Sequence, residues 1–259
     1  NNQAEPYHWL HGVNTEGKEF EILARLNGPR RDVLRKGNIV SYIEPEQEAY
    51  SINSTFISSP IPDIFRRSIE ELELGYRFIS VGRSRVLGRV AQVVRIVPKD
   101  NHRFDYWVWL EQQSGLLLKM AIITQQGQLL EQIQFTHLDV TEQPSENLKQ
   151  LEHTELPNII DEVIPQDNQV LFWNVHWLPQ GFKQVKSTRR RVSDNKTVEF
   201  MLFSDGLVDV SVYVNPSIEK SRPIEYASDG ATLVFSQINN GHEVSVVGKI
   251  PHETARKIA

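Results

Sequence analysis

The chain has 259 residues, 39% of them hydrophobic, which is enough to bury the core of one large domain or two smaller ones. Its formal net charge of -5 and aromatic content of 9% are typical of globular proteins and argue against wholesale disorder. Cysteine is absent, which excludes a disulfide framework, a thiolate metal site and a cysteine nucleophile.

The N-terminal residues show no targeting segment. Residues 1–10 lack the basic patch and apolar core of a secretory signal, so we expect a mature or trimmed form. No stretch reaches the roughly 18–20 apolar residues of a membrane-spanning helix. The best candidate, residues 116–123, is short and contains Lys119. We therefore expect a chain that does not cross a membrane.

Most of the region from residue 20 to residue 137 has the pattern of a β protein. Short apolar or alternating runs recur between glycine-rich and proline-rich turn signals, which predicts successive antiparallel strands. The pattern changes between residues 58 and 76, where Ile64, Phe65, Ile69 and Leu72 recur at helical spacing after two prolines. We predict one or two short helices there, covering the concave side of the sheet.

Residues 78–110 predict a β-hairpin. A run of β-branched residues ends at the polar turn 98–101, and an aromatic run follows at 106–110. Tyr106 and Val108 lie on one face of the second strand, and Trp107 and Trp109 lie on the other. Burial of both faces is expected, because the strand either lines a lipid-accepting groove or is a central strand covered by the predicted helix.

A domain boundary is predicted where the apolar fraction falls between residues 141 and 169. We predict a first domain at 1–143, a linker at 144–165 and a second domain at 166–259. A short helix is expected at 145–151. The second domain is predicted to contain a C-terminal helix at 252–258 and strands at 170–173, 182–188, 197–204, 208–214, 231–238 and 243–250.

The polar residues assemble no catalytic or metal-binding motif. His8 and His11 have a spacing that fits one helical face, but no acidic ligand accompanies them at a recognised metal-site spacing. The other histidines are scattered singly, and none pairs with a serine in a nucleophile-elbow pattern. We therefore predict no enzymatic activity, no cofactor and no metal.

Basic side chains cluster in this net acidic chain. Between residues 77 and 103, seven basic residues accompany a single acid, Asp100. One interpretation is that they attract phosphate or carboxylate groups of a ligand. The other, equally supported by the sequence, is that they protect strand edges from pairing. Nucleic acid is not expected, since no reader motif is present. The seven residues are Arg77, Arg83, Arg85, Arg89, Arg95, Lys99 and Arg103, and a second basic cluster comprises Arg30, Arg31, Arg35 and Lys36.

Several segments, taken together, resemble the RseB (MucB) family of periplasmic sigma-E regulators. In that family a strand, a short polar turn and an aromatic strand follow an ISVGR-type element, as they do here at 79–110. The resemblance implies that the family's secretory signal, first helix and opening strands have no counterpart before Tyr7. The other shared segments, in the same order, are NGPRRDVLRKGNIVSYIEP (27–45), the turn at 124–127, WLPQGF (177–182), LFSDGL (202–207) and VVGKIPHETARKIA (246–259).

The resemblance also implies a fold. It is mainly β, of the α+β class: an unclosed antiparallel β-barrel with short helices over its concave face, similar to lipoprotein carriers of the LolA and LolB type. A smaller α+β domain follows it.

The function implied is negative regulation of the sigma-E envelope stress response. Such a protein binds the periplasmic domain of the anti-sigma factor RseA and protects it from regulated proteolysis. It senses lipid, lipopolysaccharide or mislocalised lipoprotein, and it is located in the periplasm. The alternative is a periplasmic lipoprotein or lipid carrier of the LolA/LolB type. Whether the chain forms a homodimer is left open.

Two sets of site residues are predicted. We expect the anti-sigma partner to bind the interdomain side of the smaller domain, through rigid apolar anchors and basic side chains, unless WLPQGF merely begins a core strand. These residues are Trp177, Pro179, Phe182, Arg189, Arg190 and Arg191. The residues predicted to bind lipopolysaccharide or lipoprotein acyl chains are Phe65, Ile69, Tyr106, Val108 and Met120, with Arg83 and Arg85 near anionic groups.

Overall fold

The fold is taken from a computed structural model, which describes residues 4–57, 61, 69–160, 171–193, 196–217 and 225–259. Two compact units are present, each built from two separate stretches of chain. Unit 1 comprises Asn1–Pro60 and Asp139–Gln166, and unit 2 comprises Ile61–Leu138 and Asp167–Ala259.

Strands make up most of the described residues. None of the helices in the described ranges has the length and apolar composition needed to cross a membrane. In chain order the elements are β1 Tyr7–Val13, β2 Glu19–Arg25, β3 Asp32–Lys36, β4 Ile39–Ile43, β5 Tyr50–Asn53, α1 Ile69–Leu72, β6 Tyr76–Val86, β7 Arg89–Pro98, β8 Asp105–Glu111, β9 Leu117–Ile123, β10 Leu129–Gln134, α2 Glu146–His153, β11 Lys183–Ser193, β12 Lys196–Ser204, β13 Asp209–Pro216, β14 Glu225–Asp229, β15 Thr232–Asn239, β16 His242–Gly248 and α3 His252–Ile258.

Unit 1 contains a five-stranded antiparallel sheet in the order β1-β2-β3-β4-β5. Because successive side chains of a strand point to opposite faces, β2 contributes to two apolar clusters. Phe20 packs with Leu148 and Leu151 of α2 on one face, and Leu23 packs with Val33 on the other. The sheet is therefore covered by a helix on one side and carries a second small core on the other.

Unit 2 contains two open antiparallel sheets around one core. Their strand orders are β10-β9-β8-β7-β6 and β11-β12-β13-β16-β15-β14. A single hydrophobic cluster joins buried residues of the first sheet, such as Tyr106 and Met120, to Phe203 and Val246 of the second and to Ile258 of α3. The prediction of a mainly β, unclosed fold with few short helices is confirmed.

Most of the predicted elements are found near their expected positions. The strands expected at 197–204, 208–214, 231–238 and 243–250 correspond to β12, β13, β15 and β16, and the helices expected at 145–151 and 252–258 correspond to α2 and α3. Of the helical region predicted up to Leu72, residues 62–68 lie outside the described residues, and α1 covers the rest. The histidines considered for one helical face, His8 and His11, instead lie on β1, where their spacing directs them to opposite faces.

The turn between β8 and β9 is held by Glu111, the last residue of β8. Its carboxylate accepts hydrogen bonds from the backbone N–H groups of Gln113 (3.0 Å) and Ser114 (2.6 Å) and from the Ser114 hydroxyl (2.7 Å). These bonds favour the ionised form and so lower the pKa of Glu111 below its ordinary value of 4.5. The bonds from Ser114 have the largest effect.

We expect Glu111→Gln to lower the melting temperature of unit 2 at neutral pH. A lowered folded-state pKa means that the stabilisation is present above the unfolded-state pKa and is lost as the pH falls through the folded-state value. Melting curves of both proteins at pH 7 and pH 3 test this. The gap between the two melting temperatures should be largest at pH 7 and should shrink at pH 3, and an equal gap at both would contradict the assignment.

Candidate functional site

The extended segment 171–182 carries the predicted apolar anchors of the partner site. Its odd-numbered residues from 171 to 177 are half-buried against the core of unit 2, and its even-numbered residues from 172 to 176 are exposed. The backbone N–H groups of Phe172 and Trp173 donate to the Glu199 carboxylate, at 2.9 Å and 3.1 Å, and not to a neighbouring strand. The strand predicted at 170–173 is therefore wrong for 171–173, and residue 170 lies outside the described residues.

An exposed aromatic ring lies beside the first arginine of the predicted basic run. The Phe172 side chain is 72% exposed, and the guanidinium carbon of Arg189 lies 3.6 Å from its ring centroid. Arg189 Nε also lies 3.6 Å from the buried Glu199 carboxylate. A cation over a ring face is attracted by the ring quadrupole, so this pair presents an apolar and a positive group together. Arg190 and Arg191 follow on β11, and their side chains lie outside the described residues.

Trp177 lies between a loop of the first sheet and α3. Its ring meets the His102 ring edge-on, with centroids 4.7 Å apart, and the Lys257 ammonium lies 3.8 Å from the ring centroid. Thr254 Oγ1 donates to the His102 carbonyl at 3.2 Å, which fixes the loop to α3. The indole is half-buried, so one part of it packs internally and another part remains accessible.

The other two predicted anchors are buried. Pro179 is buried, and Phe182 is 9% exposed, with the Arg103 guanidinium carbon 5.1 Å from its ring centroid. Arg103 Nη2 also donates to the Gln180 carbonyl between them. Arg103 therefore anchors this part of the segment through the Phe182 ring and the Gln180 carbonyl.

Arg103 is the centre of a buried polar cluster that we call the Arg103 knot, formed by Tyr76, Asp100, Arg103 and Asp205. Arg103 is fully buried, and its Nε donates to Asp205 Oδ2 at 2.7 Å, while Nη1 bonds to Asp100. The Tyr76 hydroxyl donates to the same Asp205 oxygen at 2.8 Å. Burial, and then the charge of Asp205, raise the pKa of Tyr76 well above its ordinary value, so Tyr76 stays a neutral donor.

The basic cluster between Arg77 and Arg103 does not form one surface. Arg83 and Arg85 are exposed on β6, where Arg85 Nη1 donates to the Gly88 carbonyl at 3.1 Å. Arg95 instead bonds to Asp105 at 2.9 Å, and Arg103 is buried in the knot. The exposed members can meet an anion, whereas the paired members have structural roles.

The predicted lipid residues on β8 and β9 lie in the core of unit 2. Tyr106, Val108 and Met120 are 1%, 3% and 1% exposed, and all three belong to the cluster that joins the two sheets. The opposite face of β8 carries Trp107 and Trp109, whose rings stack with centroids 6.1 Å apart. Both faces of this strand therefore carry large rings, and the face predicted to bind lipid is closed by protein side chains. Phe65 and the side chain of Ile69 lie outside the described residues.

An open groove of 550 Å³ is present on unit 1, away from the predicted lipid residues. The rings of Tyr42 and Tyr50 stack nearby, with centroids 5.3 Å apart. Both apolar and polar side chains line the groove, and the lining residues are Asn38, Tyr42, Ile52, Asn53, Ser54, Thr55 and Phe56.

Ligating groups for a metal are brought together at one place among the described residues. An imidazole nitrogen of His11 and one carboxylate oxygen each of Glu19 and Glu21 lie within 4.8 Å of one another. Strand pairing supplies the acidic ligands that the local sequence around His11 lacks. The sequence reasoning missed this cluster, whose ligands meet only through the pairing of β1 with β2, and the Arg103 knot, whose members lie far apart in the chain.

Comparison with known families gives two matches that together span almost the whole chain. Residues 1–160 match the MucB/RseB N-terminal domain, and residues 167–259 match the MucB/RseB C-terminal domain.

Curated relatives agree with the family models. The sigma-E factor regulatory protein RseB of Escherichia coli (strain K12) is 34% identical over 247 residues, which are 94% of this chain and 77% of that protein. The sigma factor AlgU regulatory protein MucB of Pseudomonas aeruginosa is 29% identical over 254 residues, 96% of this chain and 78% of that protein.

Solved structures similar to this chain include two complexes. MucB in complex with MucA(peri) has a TM-score of 0.76 and 27% identity, covering 100% of this chain and 87% of that one. The Pseudomonas aeruginosa MucA/MucB complex has a TM-score of 0.77 and 28% identity, with the same coverage of both chains. The fold and the sequence therefore point to the same family.

Proposed function

The chain belongs to the MucB/RseB family, and from this premise we propose that it restrains a sigma-E-type envelope stress response by binding the periplasmic domain of an RseA-type anti-sigma factor. The observation that carries the proposal is the match, over the whole chain, to structures of MucB bound to MucA. Binding of this kind protects the anti-sigma factor from regulated proteolysis and places the protein in the periplasm. The relatives are regulatory proteins, which supports a binding role in preference to an enzymatic one.

The proposed partner surface lies along the segment 171–182 and β11. Trp177 offers a half-buried indole backed by Lys257, and Arg189 offers a cation beside an exposed ring. Aromatic and arginine side chains with this mixture of packing and exposure are the residues that most often dominate interface energies. We propose that Trp177 and the basic side chains Arg189, Arg190 and Arg191 contact the partner directly. The buried Pro179 and Phe182 set the position of the segment.

Lipid sensing is proposed to act on the core of unit 2. Tyr106, Val108 and Met120 belong to the same hydrophobic cluster against which Trp177 packs. This core is closed by side chains in the present structure, so an acyl chain must part the two sheets to enter. That opening changes the surroundings of Trp177 and so links the lipid to the partner surface. Because coupling between two binding sites is reciprocal, lipid that weakens partner binding is itself bound less tightly in the complex. Phe65 and Ile69 are proposed to belong to the same acyl site.

Arg83 and Arg85 are proposed to meet the anionic groups of that lipid, since both are exposed on β6. A basic side chain near an anionic lipid surface contributes about 1 kcal/mol, so Arg83→Gln and Arg85→Gln should each weaken binding of lipopolysaccharide about fivefold. Lipopolysaccharide titration followed by tryptophan fluorescence measures this, with Arg256→Gln on α3 as the control. Equal affinity of all three variants and the wild type would remove both residues from the lipid site.

The competing function is that of a lipoprotein or lipid carrier. The match of residues 167–259 to the family's C-terminal domain favours the regulator, because a LolA-type carrier has no need of that domain. The predicted division into residues 1–143, a linker at 144–165 and residues 166–259 stays a prediction for the family's two domains. Within the predicted linker, α2 packs on the sheet of unit 1.

Size-exclusion chromatography with light scattering tests the binding proposal. The purified chain and an RseA-type periplasmic domain should elute together, and the mass also reports whether the chain forms a homodimer. Separate elution of two folded proteins at tens of micromolar would contradict the regulator and favour the carrier.

A further inference from the structure

The cluster of ligating side chains in unit 1 follows directly from strand pairing. His11 on β1 lies directly opposite Glu21 on β2, and Glu21 lies directly opposite Arg35 on β3. Residues opposite each other across a ladder share a face, and Glu19, two residues before Glu21, shares it too. The edge strand of the sheet thus brings an imidazole to a pair of carboxylates.

Arg35 holds the two carboxylates in place. It is 4% exposed, and its Nη2 donates to Glu19 and, at 2.7 Å, to Glu21 Oε1, while Nη1 donates to the Thr55 carbonyl at 2.8 Å. Burial opposes the charged guanidinium, but the two glutamates outweigh it and raise the pKa of Arg35 above its ordinary value. Arg35 therefore fixes both carboxylates close to the His11 imidazole.

The second oxygen of Glu21 indicates where a ligand belongs. Glu21 is 2% exposed, and its Oε2 is buried without a hydrogen-bond partner among the described residues. Buried polar atoms normally make a hydrogen bond, and this oxygen makes none within the described part of the chain, although the other carboxylate oxygen bonds to Arg35. A cation bound at this oxygen supplies the missing partner. His11 is exposed, so the cluster has a solvent-facing ligand.

We propose that His11, Glu19 and Glu21 bind a divalent transition-metal ion, for which Zn²⁺ is the probe. Imidazole nitrogen and carboxylate oxygen are ligands that zinc takes, and three protein ligands leave a fourth position for water. Ligand atoms about 2.1 Å from a tetrahedral ion are about 3.4 Å apart. The ligating atoms lie within 4.8 Å of one another, and rotation of the exposed His11 side chain brings its nitrogen closer to the two carboxylates.

Arg35 then acts as the outer hydrogen-bond donor that orients ligating carboxylates, a role that metal sites commonly require. Among the described strands β1 lies at the edge of the sheet and pairs with β2, so the ion links this edge strand to the interior of the sheet. Because the ion binds the folded unit and not the unfolded chain, it raises the melting temperature of unit 1 in a concentration-dependent manner.

Titration calorimetry of the chelator-treated whole chain with ZnCl₂ tests the proposal. We expect one Zn²⁺ per chain and a loss of at least tenfold in affinity for His11→Ala. His8→Ala is the matched control, because His8 lies on the same strand but pairs with Ala24, on the opposite face of the sheet. Zn²⁺ should raise the melting temperature of the wild type and of His8→Ala, but not that of His11→Ala.

The proposal fails if no Zn²⁺ binds at sub-millimolar concentration. It also fails if His8→Ala and His11→Ala lose affinity for Zn²⁺ equally, or if neither variant loses any. In either case the ion would bind scattered surface histidines. His11→Ala carries the test because His11 is exposed and its truncation leaves the Arg35 ion pairs intact. Glu21→Gln, which alters a buried pair, should also abolish the site, and circular dichroism shows whether that variant folds.

Discussion

Replacing Asp205 with alanine is expected to cost unit 2 about 3–5 kcal/mol of its free energy of unfolding, the range for breaking a buried ion pair by removing one partner. Asp205 Oδ2 accepts from Arg103 and Tyr76, and Oδ1 accepts from the backbone N–H groups of Leu207, at 3.0 Å, and Val208, at 2.8 Å. The substitution leaves all of these donors without their acceptor, in a region closed to water. It also removes a contact that joins the two sheets of unit 2.

Urea unfolding followed by tryptophan fluorescence measures this loss. Trp9 is the only one of the five tryptophans that belongs to unit 1, so the signal reports mainly on unit 2. Asp209→Ala is the control, since Asp209 is an exposed aspartate only four positions along the chain. Asp205→Asn should be intermediate, because its amide oxygen still accepts one set of bonds. A loss below about 1 kcal/mol for Asp205→Ala would mean that the Arg103 knot does not hold the sheets together.

Replacing Trp177 with alanine is expected to weaken anti-sigma binding by about 2 kcal/mol, or about 30-fold, which is the lower bound for a dominant interface residue. The indole is half-buried on the segment 171–182, and Lys257 and His102 already fix its orientation. A ring that is held in one orientation loses little conformational freedom when a partner docks.

The matched control for Trp177→Ala is His176→Ala, an exposed neighbour on the same segment. Trp177→Phe keeps part of the internal packing and should lose less affinity than Trp177→Ala. Affinities are compared by calorimetry at one salt concentration, after circular dichroism has shown that each variant is folded. A folded Trp177→Ala protein that binds within twofold of the wild type would remove Trp177 from the interface.

The strand architecture was predictable from the sequence because its signals are local. The β-branched run ending at the turn 98–101 and the aromatic run after it fold as β7 and β8, and the apolar residues of α2 recur at helical spacing. The two-sided burial expected for β8 also holds, with Tyr106 and Val108 facing the core and Trp107 and Trp109 half-buried on the other face. In each case periodicity within about ten residues decides the structure.

The candidate sites were less predictable because their contacts are distant in sequence. Arg103 and Asp205 are 102 positions apart, and no local pattern shows that a basic residue in a surface-like turn is fully buried. Likewise Arg35, predicted as part of a basic cluster, is paired with Glu21 inside the sheet. The apolar run at 171–173 reads like a strand, yet the N–H groups of Phe172 and Trp173 bond to Glu199 on β12, which is 27 and 26 positions away.

Calorimetric titration of the folded chain with an RseA-type periplasmic domain, at fixed salt, with and without lipopolysaccharide, tests the regulatory function. Fixed salt matters because exposed basic contacts are screened by ions. We expect micromolar or tighter binding that lipopolysaccharide weakens. Absence of partner binding by a demonstrably folded sample that still binds acyl chains would contradict the regulatory function and favour the carrier.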